Sequence, residues 1–217
     1  MNKKIILKET ENYVMGKLLG EGSGHDWWHI YRVRRNAVLI NKQEKADSFI
    51  IQLAALLHDI SDWKFNEGND DLGPRLARKW LKKFEVKEDI IAHVCEVIKE
   101  MSFKGAGVRQ KMRTKEGMIV QDADRLDAIG AIGIARVFAY GGRKGREIYN
   151  PNAKPTRHNS FEEYKNNQST SINHFYEKLI FLKDLMNTKT AKKIATDRHE
   201  FMKQFLDRFY KEWQGKE

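Results

Sequence analysis

Cys95 is the only cysteine in 217 residues, which excludes an internal disulfide and any cysteine-pair zinc site. A reducing cytoplasm fits that usage. Prolines number three, so little interrupts a helix, and long stretches carry apolar residues at helical spacing. No apolar run approaches the ~20 residues needed to cross a membrane. After Met1-Asn2-Lys3-Lys4 the run Ile5-Ile6-Leu7 is cut by Lys8 and Glu9, too short for a signal-peptide core. The expectation is a cytoplasmic, all-α chain with residues 1–217 forming one domain, long enough to bury a sizeable core. Acidic residues are the minority: 30 Asp and Glu face 40 Lys and Arg, for a formal charge of +10. That surplus suits an anionic partner such as a nucleotide, a phosphorylated metabolite or nucleic acid, or simply a well-solvated surface.

The stretch that organises the chain is Leu53-Ala54-Ala55-Leu56-Leu57-His58-Asp59-Ile60-Ser61-Asp62. Leu53, Leu56, Leu57 and Ile60 recur at helical spacing, so this helix is expected to be buried. It runs into His58 and Asp59, and burying such groups costs several kcal/mol unless each has a partner. Neighbours on a helix point roughly 100° apart. They therefore do not face each other, yet a long His and a short Asp can converge on one ion in the angle between them.

Around this stretch the spacing predicts helices over about Lys8 to Leu19, Asp26 to Glu44, Pro74 to Phe84, Lys87 to Met101 and Glu116 to Tyr140. Two more close the chain, Ser171 to Met186 and Lys189 to Trp213. His29 lies within an apolar face made by Trp27, Ile30, Tyr31, Val33, Ala37, Val38 and Ile40. His93 sits at the edge of its helix's apolar stripe and is expected to be half-buried without a ligand role. The run Asp122-Ala123-Asp124-Arg125-Leu126-Asp127 precedes small residues that permit close packing, so at least one of its carboxylates is buried and compensated. Periodicity does not choose among them: Asp124 aligns with Val120 and Ala131, Asp122 with Leu126 and Ile129. Residues 141–169, rich in Gly, Lys and Arg, are expected to form a flexible loop, a lid over bound phosphates hinged at its glycines.

His29, His58, Asp59 and one Asp of the later run would make a mixed imidazole–carboxylate metal site. Such a set suits Mn²⁺ best, with Fe²⁺, Co²⁺, Ni²⁺ or Mg²⁺ as alternatives. An octahedral ion held by four protein groups keeps two positions for water and a phosphate oxygen, which is machinery for hydrolysing a phosphate ester or anhydride.

This order of residues resembles the H…HD…D signature of the HD-domain metal-dependent phosphohydrolases. Leu53 to Asp59, Gln121 to Arg136 and Ser171-Ile172-Asn173-His174-Phe175-Tyr176-Glu177-Lys178 are similar to the YpgQ/YedJ-type bacterial branch. The resemblance implies an all-α helical bundle with one metal held by His29, His58, Asp59 and Asp124, the last because it precedes Arg-Leu. It implies Asp62 as the group that orients or deprotonates the attacking water, and it leaves His93 without a role. Lys104, Arg125 and the 141–169 segment are candidates for binding phosphate. The branch is associated with nucleotide pyrophosphohydrolysis, so a nucleoside triphosphate giving monophosphate and pyrophosphate is the expected reaction. The alternatives are a nucleotide phosphomonoesterase or other HD phosphodiesterase, and a non-catalytic basic helical protein that binds nucleic acid. No helix-turn-helix with a basic recognition helix speaks for the last.

Overall fold

Helices supply the regular structure: α1 (Lys3–Leu18), α2 (Trp27–Glu44), α3 (Ser48–Leu57), α4 (Leu72–Lys82), α5 (Glu88–Glu100), α6 (Lys115–Asp127), α7 (Gly130–Arg143), α8 (Ser171–Glu177), a 3₁₀ segment (Leu179–Leu185) and α9 (Lys189–Trp213). This computed structural model describes residues 2–20, 26–60, 71–101, 112–156 and 169–216, and among them there is no strand. The architecture is all-α. The described residues fall into two units, one within Met1–Phe103 and Gln110–Asp124, the other within Arg125–Glu217.

The first unit is built around α3. Eight of its ten residues are buried, from Phe49 to Leu57. A helix apolar on every face has to be enclosed, and α1, α2 and α5 pack against it. Asp47 starts it, its carboxylate accepting from the backbone N–H of Phe49 at 2.7 Å and of Ile50 at 3.3 Å. α2 begins the same way, with Asp26 accepting from the N–H of His29 at 3.0 Å. α1 begins at Lys3 rather than near Lys8, because Asn2 caps it through the N–H of Lys4. Ile6 is thereby placed in the core. The buried Thr10 hydroxyl joins α1 to α4: it donates to the Ile6 carbonyl at 2.8 Å and accepts from Trp80 Nε1 at 2.9 Å. Tyr13 stacks on Trp80 with ring centroids 3.9 Å apart. Cys95 on α5 donates its Sγ–H to the Pro74 carbonyl at 3.3 Å, and burial pushes its thiol pKa up.

The spacing predicts one helix over Glu116–Tyr140, but the chain turns between α6 and α7. Gly130 has φ +75°, a conformation that β-carbon-bearing residues rarely adopt. Two arginines cover the carbonyls exposed there. Arg198 Nη1 donates to the Leu126 carbonyl, and Arg136 Nη1 donates to the Asp127 carbonyl at 3.3 Å and to its carboxylate at 2.9 Å. Gly133 permits the close approach that follows, since a Cβ there would lie 2.3 Å from the Ala128 carbonyl oxygen.

In the second unit α9 packs against α7 and the 3₁₀ segment. Thr188 caps α9 by accepting from the N–H of Ala191 at 3.2 Å. The stretch 171–186 is not one helix: α8 ends at Glu177 and the chain tightens to 3₁₀ geometry from Leu179. The expected loop over 141–169 also divides. Gly141, Gly142 and Arg143 belong to α7, so no hinge sits at those glycines. Beyond them the chain is fastened to α8. The carbonyls of Glu147 and Ile148 accept from the N–H groups of Ser171 and Ile172, both at 3.0 Å. Asn173 Nδ2 donates to the Ala153 carbonyl at 2.9 Å, and Glu177 Oε1 accepts from the N–H of Thr156 at 3.1 Å. Tyr149 meets the rings of Phe209, Tyr210 and Trp213 edge-on. Arg157 and the rest of 157–168 lie outside the described residues.

Two outcomes are expected. Gly133→Ala lowers Tm because its Cβ meets backbone, whereas Gly142→Ala, with nothing within 4 Å, raises stability by up to about 1 kcal/mol; thermal denaturation followed by circular dichroism distinguishes them. His199 on α9 is buried, and burial followed by the charge of Lys183 lowers its pKa. The folded state therefore favours the neutral ring. That stability is complete above the unfolded value of about 6.5 and is lost as pH falls through the lower folded value. Tm should drop as pH falls below about 6.5, and His199→Gln should show a smaller drop.

Candidate metal centre

His58 is the residue at which α3 ends, and it keeps αR backbone angles. Its Nδ1 lies 2.9 Å from the Ala55 carbonyl. A carbonyl can only accept, so Nδ1 carries the proton, and the lone pair of the neutral ring resides on Nε2. That atom is buried and has no hydrogen-bond partner. Asp59 follows on the turn beyond the helix, with its Oδ2 3.6 Å from His58 Nε2.

His29 comes from the first turn of α2 and is fully buried. Its Nε2 lies 3.4 Å from Asp59 Oδ2 and 3.5 Å from Asp124 Oδ1. The two imidazoles meet edge to face, with ring centroids 5.4 Å apart. One donor atom each from His29, His58 and Asp59 lies within 4.8 Å of the other two. Asp124 meets this trio at His29.

These residues fit a divalent metal. Gaps of 3.4–3.6 Å are long for hydrogen bonds. They lie near the edge length of a coordination tetrahedron, where donors about 2.1 Å from one ion are about 3.4 Å apart, and exceed the about 3.0 Å of octahedral neighbours. An orphaned, desolvated imidazole nitrogen beside a carboxylate is expensive unless something cationic lies between them.

The three aspartates of α6 differ in their surroundings. Asp122 is fully buried, Asp127 is buried and paired with Arg136 at 2.9 Å, and Asp124, with a side chain 36% exposed, is the one beside His29. Asn36 helps bring them there: its Nδ2 reaches the Ala123 carbonyl at 3.4 Å, joining α2 to α6 one residue before Asp124. Its signal in the sequence is its place two turns after His29 on the same helical face. His93 is half-buried 3.7 Å from Glu116, which also accepts from the N–H of Asp47 at 3.0 Å. Arg125 donates to the Leu185 carbonyl. Asp62 and Lys104 lie outside the described residues.

The family model for the HD domain matches residues 27–129. YpgQ of Bacillus subtilis (strain 168) is 39% identical over 213 residues, covering 96% of each chain. The chain belongs to the HD-domain superfamily. Within it, the likeness to YpgQ places the chain on a bacterial branch. A solved structure from Lactobacillus plantarum has a TM-score of 0.86 at 40% identity and covers 99% of this chain and 100% of its own. An HD-superfamily hydrolase from Bacillus thuringiensis has a TM-score of 0.76 at 44% identity and covers 98% and 99%. YpgQ has been solved in complex with ADP, and that structure has a TM-score of 0.72 with 95% of this chain and 97% of YpgQ covered. The HD membership makes this chain a hydrolase of the metal-dependent phosphohydrolase type.

The carboxylate assignment is tested by metal analysis of purified variants. Asp124→Asn and His58→Ala should each weaken Mn²⁺ binding by about 100-fold or more, beyond the 10–100-fold typical of an outer partner. Asp122→Asn should retain the ion. The opposite pattern for the two aspartates would move the ligand to Asp122.

Proposed function

We propose that this chain hydrolyses a phosphoanhydride of a nucleotide, with residues 1–217 acting as one catalytic domain and one Mn²⁺-like ion held by His29, His58, Asp59 and Asp124. The observation that supports this most directly is the trio of buried His29 and His58 with half-buried Asp59, in which His58 Nε2 is left free to face Asp59 and His29 by the Nδ1 bond to Ala55. A divalent ion bound there would neutralise phosphoryl charge and acidify bound water. His58 and His29 offer imidazole nitrogens as ligands, and Asp59 and Asp124 would supply the negative charge that favours a cation. Asp62 is proposed to orient the attacking water and accept its proton. Lys104 and Arg125 are proposed to hold phosphate oxygens. The ADP held by YpgQ supports a nucleotide as the ligand class. A triphosphate cleaved to monophosphate and pyrophosphate is the preferred reaction, and a surface of +10 formal charge suits so anionic a substrate.

A metal-supplemented screen over nucleoside mono-, di- and triphosphates, with products identified, tests the reading. Pyrophosphate released from triphosphates is the expected product. Orthophosphate released from monophosphates would make the chain a phosphomonoesterase, and a purified chain with neither stoichiometric metal nor turnover would make it a binding protein. Asp62→Asn should keep the ion while kcat falls by about 10²–10⁴. Near-normal kcat would return Asp62 to a surface role.

A further inference from the structure

Trp27 and Trp28 are adjacent on α2 and differ sharply in exposure: 4% for Trp27 and 55% for Trp28. Tyr31, which the periodicity assigns to the apolar face, is 39% exposed. The two exposed rings are organised. Trp28 meets Tyr31 edge to face with centroids 6.0 Å apart, Tyr31 leans on the buried Trp27 at 6.4 Å, and the Arg35 guanidinium lies over the Tyr31 ring at 5.9 Å. Tyr31 is thus braced from both sides and supports the edge of Trp28. An indole gains a great deal from burial, so leaving one on the surface beside a braced aromatic forgoes stability that a core position would supply.

The position of this platform gives it a use. Trp28 immediately precedes His29, and a helix turns 100° between neighbours. Side chains reaching a radius of about 5–6 Å then have tips about 8–9 Å apart. That separation is the span of a ribose with its 5′ phosphate. Arg32 lies between the two on the helical wheel, four residues after Trp28 and three after His29.

We infer that Trp28, supported by Tyr31 and Arg35, is the surface on which the base of a nucleotide stacks while its phosphates lie at the His29 site; this rests on the nucleotide-hydrolase reading. Stacking tolerates every base, since each presents a π face, so the platform favours nucleotides over base-free polyphosphates without choosing among nucleobases.

Calorimetric titration tests this with ADP and with inorganic tripolyphosphate, on the unsubstituted chain, Trp28→Ala and Trp28→Phe, each loaded with Mn²⁺. Trp28→Ala should weaken ADP by about 5- to 150-fold, the range of one lost base–aromatic stack. Tripolyphosphate and Mn²⁺ affinities should stay unchanged, and Trp28→Phe should retain most of the ADP affinity. Equal weakening of both ligands, or ADP binding indifferent to Trp28, overturns the inference alone. No ADP binding by the unsubstituted chain overturns the nucleotide reading with it. A loss of self-association or of oligothymidylate binding in Trp28→Ala, with ADP affinity intact, assigns the stripe to another partner and also overturns it.

Discussion

A single hydrogen bond, from His58 Nδ1 to the Ala55 carbonyl at 2.9 Å, reconciles the most apolar helix of the chain with the most polar cluster. The last carbonyls of a helix have no partners within it, and here one is satisfied by the side chain that follows. The same bond fixes the tautomer. Without it the imidazole could place a proton on the nitrogen that faces Asp59, and the buried lone pair that suits a cation would be gone. α3 must therefore end where it does. A further helical turn would bring a backbone N–H to the Ala55 carbonyl in competition with His58 Nδ1.

That requirement explains how the first unit is arranged. Burial of α3 on all sides prevents its end from shifting, and α2 lies along it with His29 in its first turn, set there by the Asp26 cap. Asn36 then holds α6 close enough for Asp124 to meet His29. The groups come from three places in the chain: His29, the adjacent pair His58 and Asp59, and Asp124. His29, His58 and Asp124 are each served by a local device, a cap or a side-chain bond to backbone, rather than by the cluster's own attraction. Polar groups gathered this closely need such external support, because like-charged carboxylates do not gather unaided.

Much of this was legible in the residues, and the failures have physical causes. The ends of α2 and α9 carry Asp26 and Thr188, and side-chain caps are the strongest local punctuation a helix has. α1 begins earlier than its apolar pattern suggests because Asn2 caps it ahead of the lysines. Choosing between Asp122 and Asp124 by alignment with residues beyond Ala128 assumed one continuous helix. The turn at Gly130 destroys that phase relationship, and only the resemblance to H…HD…D proteins pointed to Asp124. The basic segment after Tyr140 has the composition of a loop, yet its described part, up to Thr156, is fastened to α8. Its attachments are mostly backbone carbonyls and two polar side chains of α8, Asn173 and Glu177, which no periodicity reveals.

Cys95 gives the molecule one further property. Its thiol is buried, held against the Pro74 carbonyl, and shifted away from the reactive thiolate. Separation of α5 from the start of α4 would break its bond to Pro74 and expose the thiol to an alkylating reagent. With no second cysteine to compete, the rate of labelling reports a single local opening in the unit that carries the candidate metal centre. The chain thus contains its own clock for how often that unit breathes, readable without any added probe.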